Sequence, residues 1–169
     1  MQKNSTLILV RAGVISALYV VLSFIVLPIS GGAIQFRPSE ALTLLPLLYL
    51  ESVPALFVGC FVFNFLSGLP LLDVVFGSLI TLVAGIITYF VGKKIKSTPL
   101  KIFIGGLFPV TFNAFILPIV WYFIYGELQV IYLLSVLSLL ISQSLSVYAL
   151  GSWFYLGVAR LKNKNLKFL

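Results

Sequence analysis

The sequence predicts an all-α integral membrane protein, a single domain of six transmembrane helices. Of its 169 residues, 61% are hydrophobic and only 9% are charged, and the mean hydropathy is +1.18. Soluble chains carry about 25% charged residues, and a soluble domain of this length could not hide so much apolar surface. The composition also excludes a disordered chain, which needs low hydrophobicity and high charge.

The positive charge of the chain is concentrated beside its apolar segments. The formal net charge is +7, and ten of the eleven Lys and Arg residues lie near the N-terminus, in the 93–101 loop or in the C-terminal tail. Cytoplasmic loops next to membrane helices carry such clusters, which face anionic lipid. We therefore interpret the charge as a membrane feature and expect no nucleic-acid partner.

Four apolar runs are long enough to cross a bilayer, which takes about 20 residues. They are residues 7–27, 74–92, 102–125 and 130–159. A fifth run, 39–67, is long for one helix and short for two. Pro46 and Pro54 flank Glu51 within it, and proline disfavours an uninterrupted helix.

The positions of the charges indicate how often the 39–67 run crosses. If it crossed once, with the N-terminus in the cytoplasm, the 93–101 loop and the C-terminal tail would lie outside, against the positive-inside rule. If it crosses twice and turns near Glu51, both termini and that loop face the cytoplasm. We therefore predict cytoplasmic termini, with the second and third helices short, tilted or broken. The six predicted helices are approximately 7–27, 39–50, 53–67, 73–92, 102–125 and 130–159.

This topology places most polar and ionisable side chains at the outer end of the bundle. Such residues are costly at membrane depth and often mark function. Three of the four acidic residues, Glu40, Asp73 and Glu127, lie there although the chain is basic. The asymmetry predicts an outward-facing pocket with acceptors for a donor-rich or cationic ligand. The candidate binding residues are Gln35, Phe36, Arg37, Glu40, Asn64, Asp73, Asn113, Trp121 and Tyr122.

Several of these residues also have an ordinary structural explanation. Glu40 and Asp73 can cap or complement a helix N-terminus. Trp121 and Tyr122 can belong to the aromatic belt found at any membrane interface. Gln143, near the middle of the last helix, is expected to pack against other helices rather than to form a pocket floor.

The first helix carries small residues four apart, which allow another helix to approach closely. The pairs are Ala12/Ser16 and Gly13/Ala17. They serve either packing within the bundle or the docking of a partner helix.

Nothing in the sequence indicates an enzyme. The chain has no histidine and one cysteine, Cys60, and we find no paired carboxylates and no phosphate-binding loop. We expect no metal, no cofactor and no ATP hydrolysis in this chain. Any transport would be passive or driven by a partner.

Three segments resemble one family of membrane proteins. They are RAGVISALYVVLSF at 11–24, GGAIQFRPSEALTLLP at 31–46 and GLPLLDVVFGSLITLVAG at 68–85. They are similar to the QueT family, the queuosine-precursor substrate-binding (S) components of energy-coupling-factor (ECF) transporters. The likeness covers most of residues 11–92 and is weaker afterwards.

The resemblance implies a multi-pass S-component-like bundle in a prokaryotic cell membrane. It implies that the first outer loop covers a pocket for a 7-deazaguanine such as preQ1, preQ0 or queuine. It also implies docking, through small residues of the first helix, onto a transmembrane coupling protein (EcfT-like) that two cytoplasmic ATPases (EcfA-like) drive. The family's Ala-xxx-Ala docking motif matches here as Ala12/Ser16 or Gly13/Ala17, neither of which is an Ala/Ala pair.

The chemistry of a 7-deazaguanine suits the candidate residues. Its N1–H and 2-amino groups are parallel donors that one carboxylate can accept, and we expect Glu40 to do so. Asp73 is expected to meet the cationic aminomethyl group of preQ1. Candidate donors for the 6-oxo group are Gln35, Arg37 and Asn64. Candidate stacking partners for the flat ring are Phe36, Trp121 and Tyr122.

Other functions stay open at this point. An S component for thiamin, riboflavin or biotin would keep the class and change the cargo. A membrane scaffold without cargo would show no ligand-dependent stabilisation. A passive channel is less consistent with the sequence, because the inner halves of the helices are almost wholly apolar and suit a closed floor.

Overall fold

The computed structural model describes residues 2–28, 36–126 and 129–163. The described residues form a bundle of helices and no strand. The helices are α1 (Gln2–Val26), a 3-10 helix (Pro38–Leu47), α2 (Ser52–Leu66), α3 (Leu71–Lys94), α4 (Thr98–Tyr125), α5 (Gln129–Ser144) and α6 (Ser152–Asn163), with a π segment (Leu145–Gly151) joining the last two.

Within the described residues, four helical stretches are long and apolar enough to cross a membrane. They are Ser5–Val26, Leu71–Lys94, Thr98–Phe123 and Ile131–Lys162. The shortest has 22 residues and is therefore about 33 Å long, against roughly 30 Å for the hydrocarbon core of a bilayer. The apolar runs found in the sequence thus correspond to real helices, and the chain has the architecture of an all-α, multi-pass membrane protein.

The predicted second helix, approximately 39–50, is short and has a geometry that the sequence did not reveal. It is a ten-residue 3-10 helix that ends at Leu47 and spans about 20 Å. Pro46 lies inside it and lacks the N–H that an α-helical hydrogen bond would need. All residues from Ser39 to Leu47 are buried, because α1, α3, α4 and the π segment pack around them. This short helix is the centre of the bundle.

The last predicted helix, 130–159, contains an irregularity that the sequence did not reveal. Its hydrogen-bonding pattern changes to that of a π-helix over Leu145–Gly151, and this π segment packs against the 3-10 helix. The two backbones touch at Gly151, where a Cβ atom would lie 2.9 Å from the carbonyl oxygen of Ala41. Only glycine permits this approach.

Charged and aromatic side chains connect three parts of the chain at one end of the bundle. Arg11 Nη1 lies 3.1 Å from Glu51 Oε1, and Lys162 Nζ donates to the carbonyl of Leu48 at 2.9 Å. Both cations lie over the Tyr49 ring, 4.8 and 4.5 Å from its centroid. The first half of α1, the turn before α2 and the end of α6 therefore lie together.

Gly92 of α3 brings the backbone of the 3-10 helix into close contact. A Cβ atom there would lie 2.7 Å from both Cα and the carbonyl oxygen of Leu47. We expect Gly92→Ala to force these segments apart and to destabilise the protein by about 1–3 kcal/mol, the usual cost of overpacking. Thermal unfolding of the purified protein in detergent measures the effect.

Gly157→Ala is the matched control for this prediction. Gly157 also lies within a helix, but a Cβ atom there meets nothing within 4 Å. We expect the melting temperature of the Gly157→Ala variant to stay at or above that of the wild type, because alanine favours a helix more than glycine does. Equal changes in the two variants would contradict the tight packing at Gly92.

Candidate functional site

A polar cavity of about 330 Å³ lies at the end of the bundle away from Arg11 and Lys162. Its lining follows the repeat of each helix. In α4 and α5 the lining positions recur every four residues, as Asn113, Leu117 and Trp121, and as Ser135, Leu139 and Gln143. Eight residues of α-helix rise by about 12 Å, so the cavity reaches roughly that far into the bundle.

Six of the nine candidate binding residues line this cavity. They are Arg37, Glu40, Asn64, Asp73, Asn113 and Trp121. Phe36 and Tyr122 are described but do not line it, and the Tyr122 side chain is 37% exposed. Gln35 lies outside the described residues. The ligand-binding roles of all nine stay predictions.

Glu40 is held by helices on two sides. The residue is only 2% exposed. Tyr19 of α1 donates its hydroxyl hydrogen to Glu40 Oε1 at 2.6 Å, and Asn113 of α4 donates from Nδ2 to Oε2 at 3.3 Å. A carboxylate offers about four acceptor positions, so each oxygen has capacity for one more donor. Glu40 is therefore oriented and still able to accept hydrogen bonds from a group in the cavity.

The contact between α1 and α2 brings Tyr19 to this position. A Cβ atom on Gly59 would lie 2.9 Å from Tyr19 Cβ, so the glycine allows the two helices to meet. A second link joins α1 to the 3-10 helix, because the hydroxyl groups of Ser23 and Ser39 are hydrogen-bonded to each other at 2.7 Å. The start of the 3-10 helix, and with it Glu40, is thus supported from α1.

The capping explanation does not account for the two carboxylates in the cavity. The N-cap of the 3-10 helix is Arg37, and that of α3 is Pro70. Glu40 and Asp73 instead lie in the first turns of these helices, where a negative charge complements the helix dipole. Trp121 Nε1 donates to Asp73 Oδ1 at 3.0 Å. This bond joins α4 to α3 beside the cavity.

Sequence reasoning missed nine of the fifteen described residues that line the cavity. The residues it missed include Cys60, Gly77, Thr81, Leu117, Ser135 and Leu139, and Gln143 was expected to pack elsewhere. Cys60, Gly77 and Leu117 each lie one helical turn from a candidate residue, so a four-residue repeat would have found them. None of the candidate residues lies in α5, so the same repeat could not identify the lining positions of that helix.

The comparison with known proteins identifies the family. The family model described as QueT transporter matches residues 9–160. The chain belongs to the QueT transporter family. A curated relative, the queuosine precursor transporter QueT of Lactococcus lactis subsp. cremoris (strain MG1363), is 39% identical over 85 residues. That match covers 49% of this chain and 50% of the relative, so the chain spans about half the length of the curated relative it matches. No solved structure matches this QueT family member.

The bond from Tyr19 to Glu40 should contribute strongly to stability in this QueT family member. We expect Tyr19→Phe to destabilise the protein by about 1.5–3 kcal/mol, the range for hydrogen bonds to charged groups. Tyr148→Phe is the matched control, since its hydroxyl donates to the exposed carbonyl of Phe103 at 2.9 Å and should contribute about 1 kcal/mol or less. Thermal unfolding compares the two variants, and a larger loss in Tyr148→Phe would contradict the assignment.

Proposed function

We propose that this protein is the substrate-binding subunit of an ECF-type importer and captures a queuosine precursor, a 7-deazaguanine such as preQ1, preQ0 or queuine. The observation that carries the proposal is a polar cavity of about 330 Å³ within an apolar bundle of the QueT family. Small-molecule sites measure roughly 300–1,000 Å³, so this cavity suits a ligand with one fused ring system. The name of the Lactococcus relative supports the same cargo class.

The chemistry of the lining supports a ring that carries several N–H groups. Glu40 takes the N1–H and 2-amino groups of the ring as a pair, using the acceptor positions that Tyr19 and Asn113 leave open. Arg37 donates to the 6-oxo group. Asp73 faces the aminomethyl group where the ligand has one.

The packing beyond Glu40 supports a binding protein rather than an open channel. Leu44, Leu47, Val110 and Val147 belong to one buried apolar cluster, which occupies the bundle between the cavity and the opposite end. This apolar cluster offers no polar path along which a solute could cross. Release of the cargo on the other side therefore requires the protein to change its arrangement, which we assign to its contact with a partner protein.

The topology in this proposal has six crossings, with both termini in the cytoplasm of a prokaryotic cell. The 3-10 helix and α2 form the second and third crossings, which are short at 10 and 15 residues. The contacts of Arg11 with Glu51 and of Lys162 with Leu48 support an even number of crossings, since they hold the two ends of the chain on one side. Residues 29–35, in the proposed lid over the cavity, lie outside the described residues.

The proposed partner is a transmembrane coupling protein (EcfT-like) that two ATPases (EcfA-like) drive. An apolar groove between α1 and α2 is lined by all four small residues named above. Gly13 and Ala17 are exposed there, whereas Ala12 and Ser16 are half-buried. The Gly13/Ala17 pair is therefore the surface that a partner helix meets, and Ala12/Ser16 serves packing within the bundle.

Ligand-dependent stabilisation of the purified protein tests the proposed cargo. The panel is preQ1, preQ0, queuine, guanine, thiamin and riboflavin. A ligand at one hundred times its dissociation constant adds about 2.7 kcal/mol to the stability of the native state. We expect a shift with the 7-deazaguanines alone. A shift with thiamin or riboflavin would contradict the cargo, and no shift with any compound would favour a scaffold.

Glu40→Gln tests the proposed role of the carboxylate. The substitution keeps the shape of the side chain and replaces one acceptor oxygen by a donor. We expect it to weaken preQ1 binding by about 2 kcal/mol or more, the usual cost when a buried charged partner is lost. Calorimetric titration measures the affinity, and an unchanged affinity would show that Glu40 does not bind the ligand.

Gly13→Leu tests the docking surface. The leucine side chain should fill the groove and prevent assembly with the coupling protein, while preQ1 binding stays as in the wild type. Gly157→Leu is the matched control, since it places the same side chain on an open face of another helix. Copurification with the coupling protein and the ATPases measures assembly. Equal assembly of the two variants would show that Gly13 does not face the partner.

A further inference from the structure

Few buried side-chain nitrogen and oxygen atoms in the described part of the chain lack a hydrogen-bond partner. They are Arg11 Nε, Asn64 Oδ1 and Gln143 Oε1. Arg11 belongs to the ion pair with Glu51 at the other end of the bundle. Asn64 and Gln143 line the same cavity as Glu40. An unpaired buried carbonyl oxygen costs free energy, so two of them in one cavity call for a chemical explanation.

The amide of Asn64 is oriented by its neighbours. The residue is 2% exposed, and its Nδ2 donates to Cys60 Sγ, one turn earlier in α2, at 3.4 Å. Nδ2 also lies 3.1 Å from the position that a Cβ atom on Gly77 would take, so this glycine of α3 makes room for the amide. With the nitrogen directed to the sulfur, the carbonyl oxygen is the atom left for a ligand.

Gln143 is equally buried, at 2% exposure, and lies in α5 just before the π segment. The serine before it and the serine three residues after it have hydroxyl groups near this part of the helix. Ser142 Oγ donates to the carbonyl of Leu139 at 3.3 Å, and Ser146 Oγ donates to the carbonyl of Ser142 at 2.9 Å. Both hydroxyl hydrogens are used by backbone carbonyls of α5, and Gln143 Oε1 keeps its acceptor capacity.

We propose that Asn64 and Gln143 accept hydrogen bonds from the N–H groups of the bound ring that Glu40 does not take, and that they thereby determine specificity. The inference rests on the proposed function. A 7-deazaguanine has N–H groups on more than one edge, namely N1–H, the 2-amino group and the pyrrole N9–H. One carboxylate reaches a single edge, so the carbonyl oxygens of α2 and α5 serve the rest. An analogue that lacks one of these N–H groups leaves a buried acceptor unpaired and is rejected.

This role has a consequence that a packing role does not share. An acceptor that is unpaired until ligand binds lowers the stability of the empty protein, a trade of stability for function. Leucine has a size close to that of either amide and has no polar atom. Leucine at position 64 or 143 should therefore weaken binding without lowering the melting temperature of the empty protein.

The test uses Asn64→Leu and Gln143→Leu in the full-length chain, purified in detergent. The ligands are preQ1, its analogue without the 2-amino group and its N9-methyl analogue, and calorimetry measures their affinities. We expect each variant to bind preQ1 at least tenfold more weakly than the wild type. The wild type should discriminate at least tenfold against the N9-methyl analogue, and one of the two leucine variants should lose that discrimination. Both variants should still discriminate against the analogue without the 2-amino group, because Glu40 also binds that group.

Two control variants are matched to these positions. Ser142→Ala removes a buried polar group adjacent to Gln143, and Ser67→Ala removes a hydroxyl near the end of α2 that donates to the carbonyl of Phe63 at 2.7 Å. Neither residue lines the cavity, so both variants should bind preQ1 as the wild type does. Gln143→Met and Asn64→Ala repeat the test with other shapes if a leucine variant does not fold.

The outcomes separate this inference from the proposed function. If the wild type binds preQ1 and the leucine variants bind it within threefold of the wild type, the inference is overturned and the proposed function stands. A melting temperature that falls together with the affinity would assign the amides to packing and would also overturn the inference. If the wild type binds no 7-deazaguanine, the proposed function fails and the inference fails with it.

Discussion

The arrangement of the bundle depends on the need to place one carboxylate, Glu40, inside an apolar protein. A buried polar group of this kind is tolerated only where donors reach it. Here the donors come from Tyr19 of α1 and Asn113 of α4, two helices that pack on different sides of the 3-10 helix. The contact at Gly59 brings Tyr19 close enough to donate. The position of Glu40 is thus a property of the whole bundle.

The irregular backbone of the protein is concentrated near this carboxylate. Non-α segments at membrane depth are tolerated where protein covers them or where they line a cavity. The 3-10 helix carries Glu40, and the π segment begins two residues after Gln143. These two segments pack on each other through the contact of Gly151 with Ala41. The structure therefore departs from regular α-helix where polar side chains enter the core.

Helix positions could be predicted well because they depend on local properties. Apolar length identifies a membrane span without knowledge of its neighbours, and the runs at 7–27, 74–92 and 102–125 correspond to α1, α3 and α4. The 3-10 geometry of residues 38–47 could not be predicted in the same way. It arises where neighbouring segments enclose a short run that contains Pro46, and that enclosure is invisible in the local sequence.

By itself, the sequence determined that the chain is a membrane protein, where its long helices lie and which polar residues gather toward one end, because composition, length and charge are local quantities. Only the tertiary structure decided that Gly13 rather than Ala12 is exposed and that Gln143 lines the cavity. These outcomes depend on distances between helices that are remote in sequence. The donors to Glu40 lie 21 and 73 residues away along the chain, and packing alone brings them within hydrogen-bonding distance.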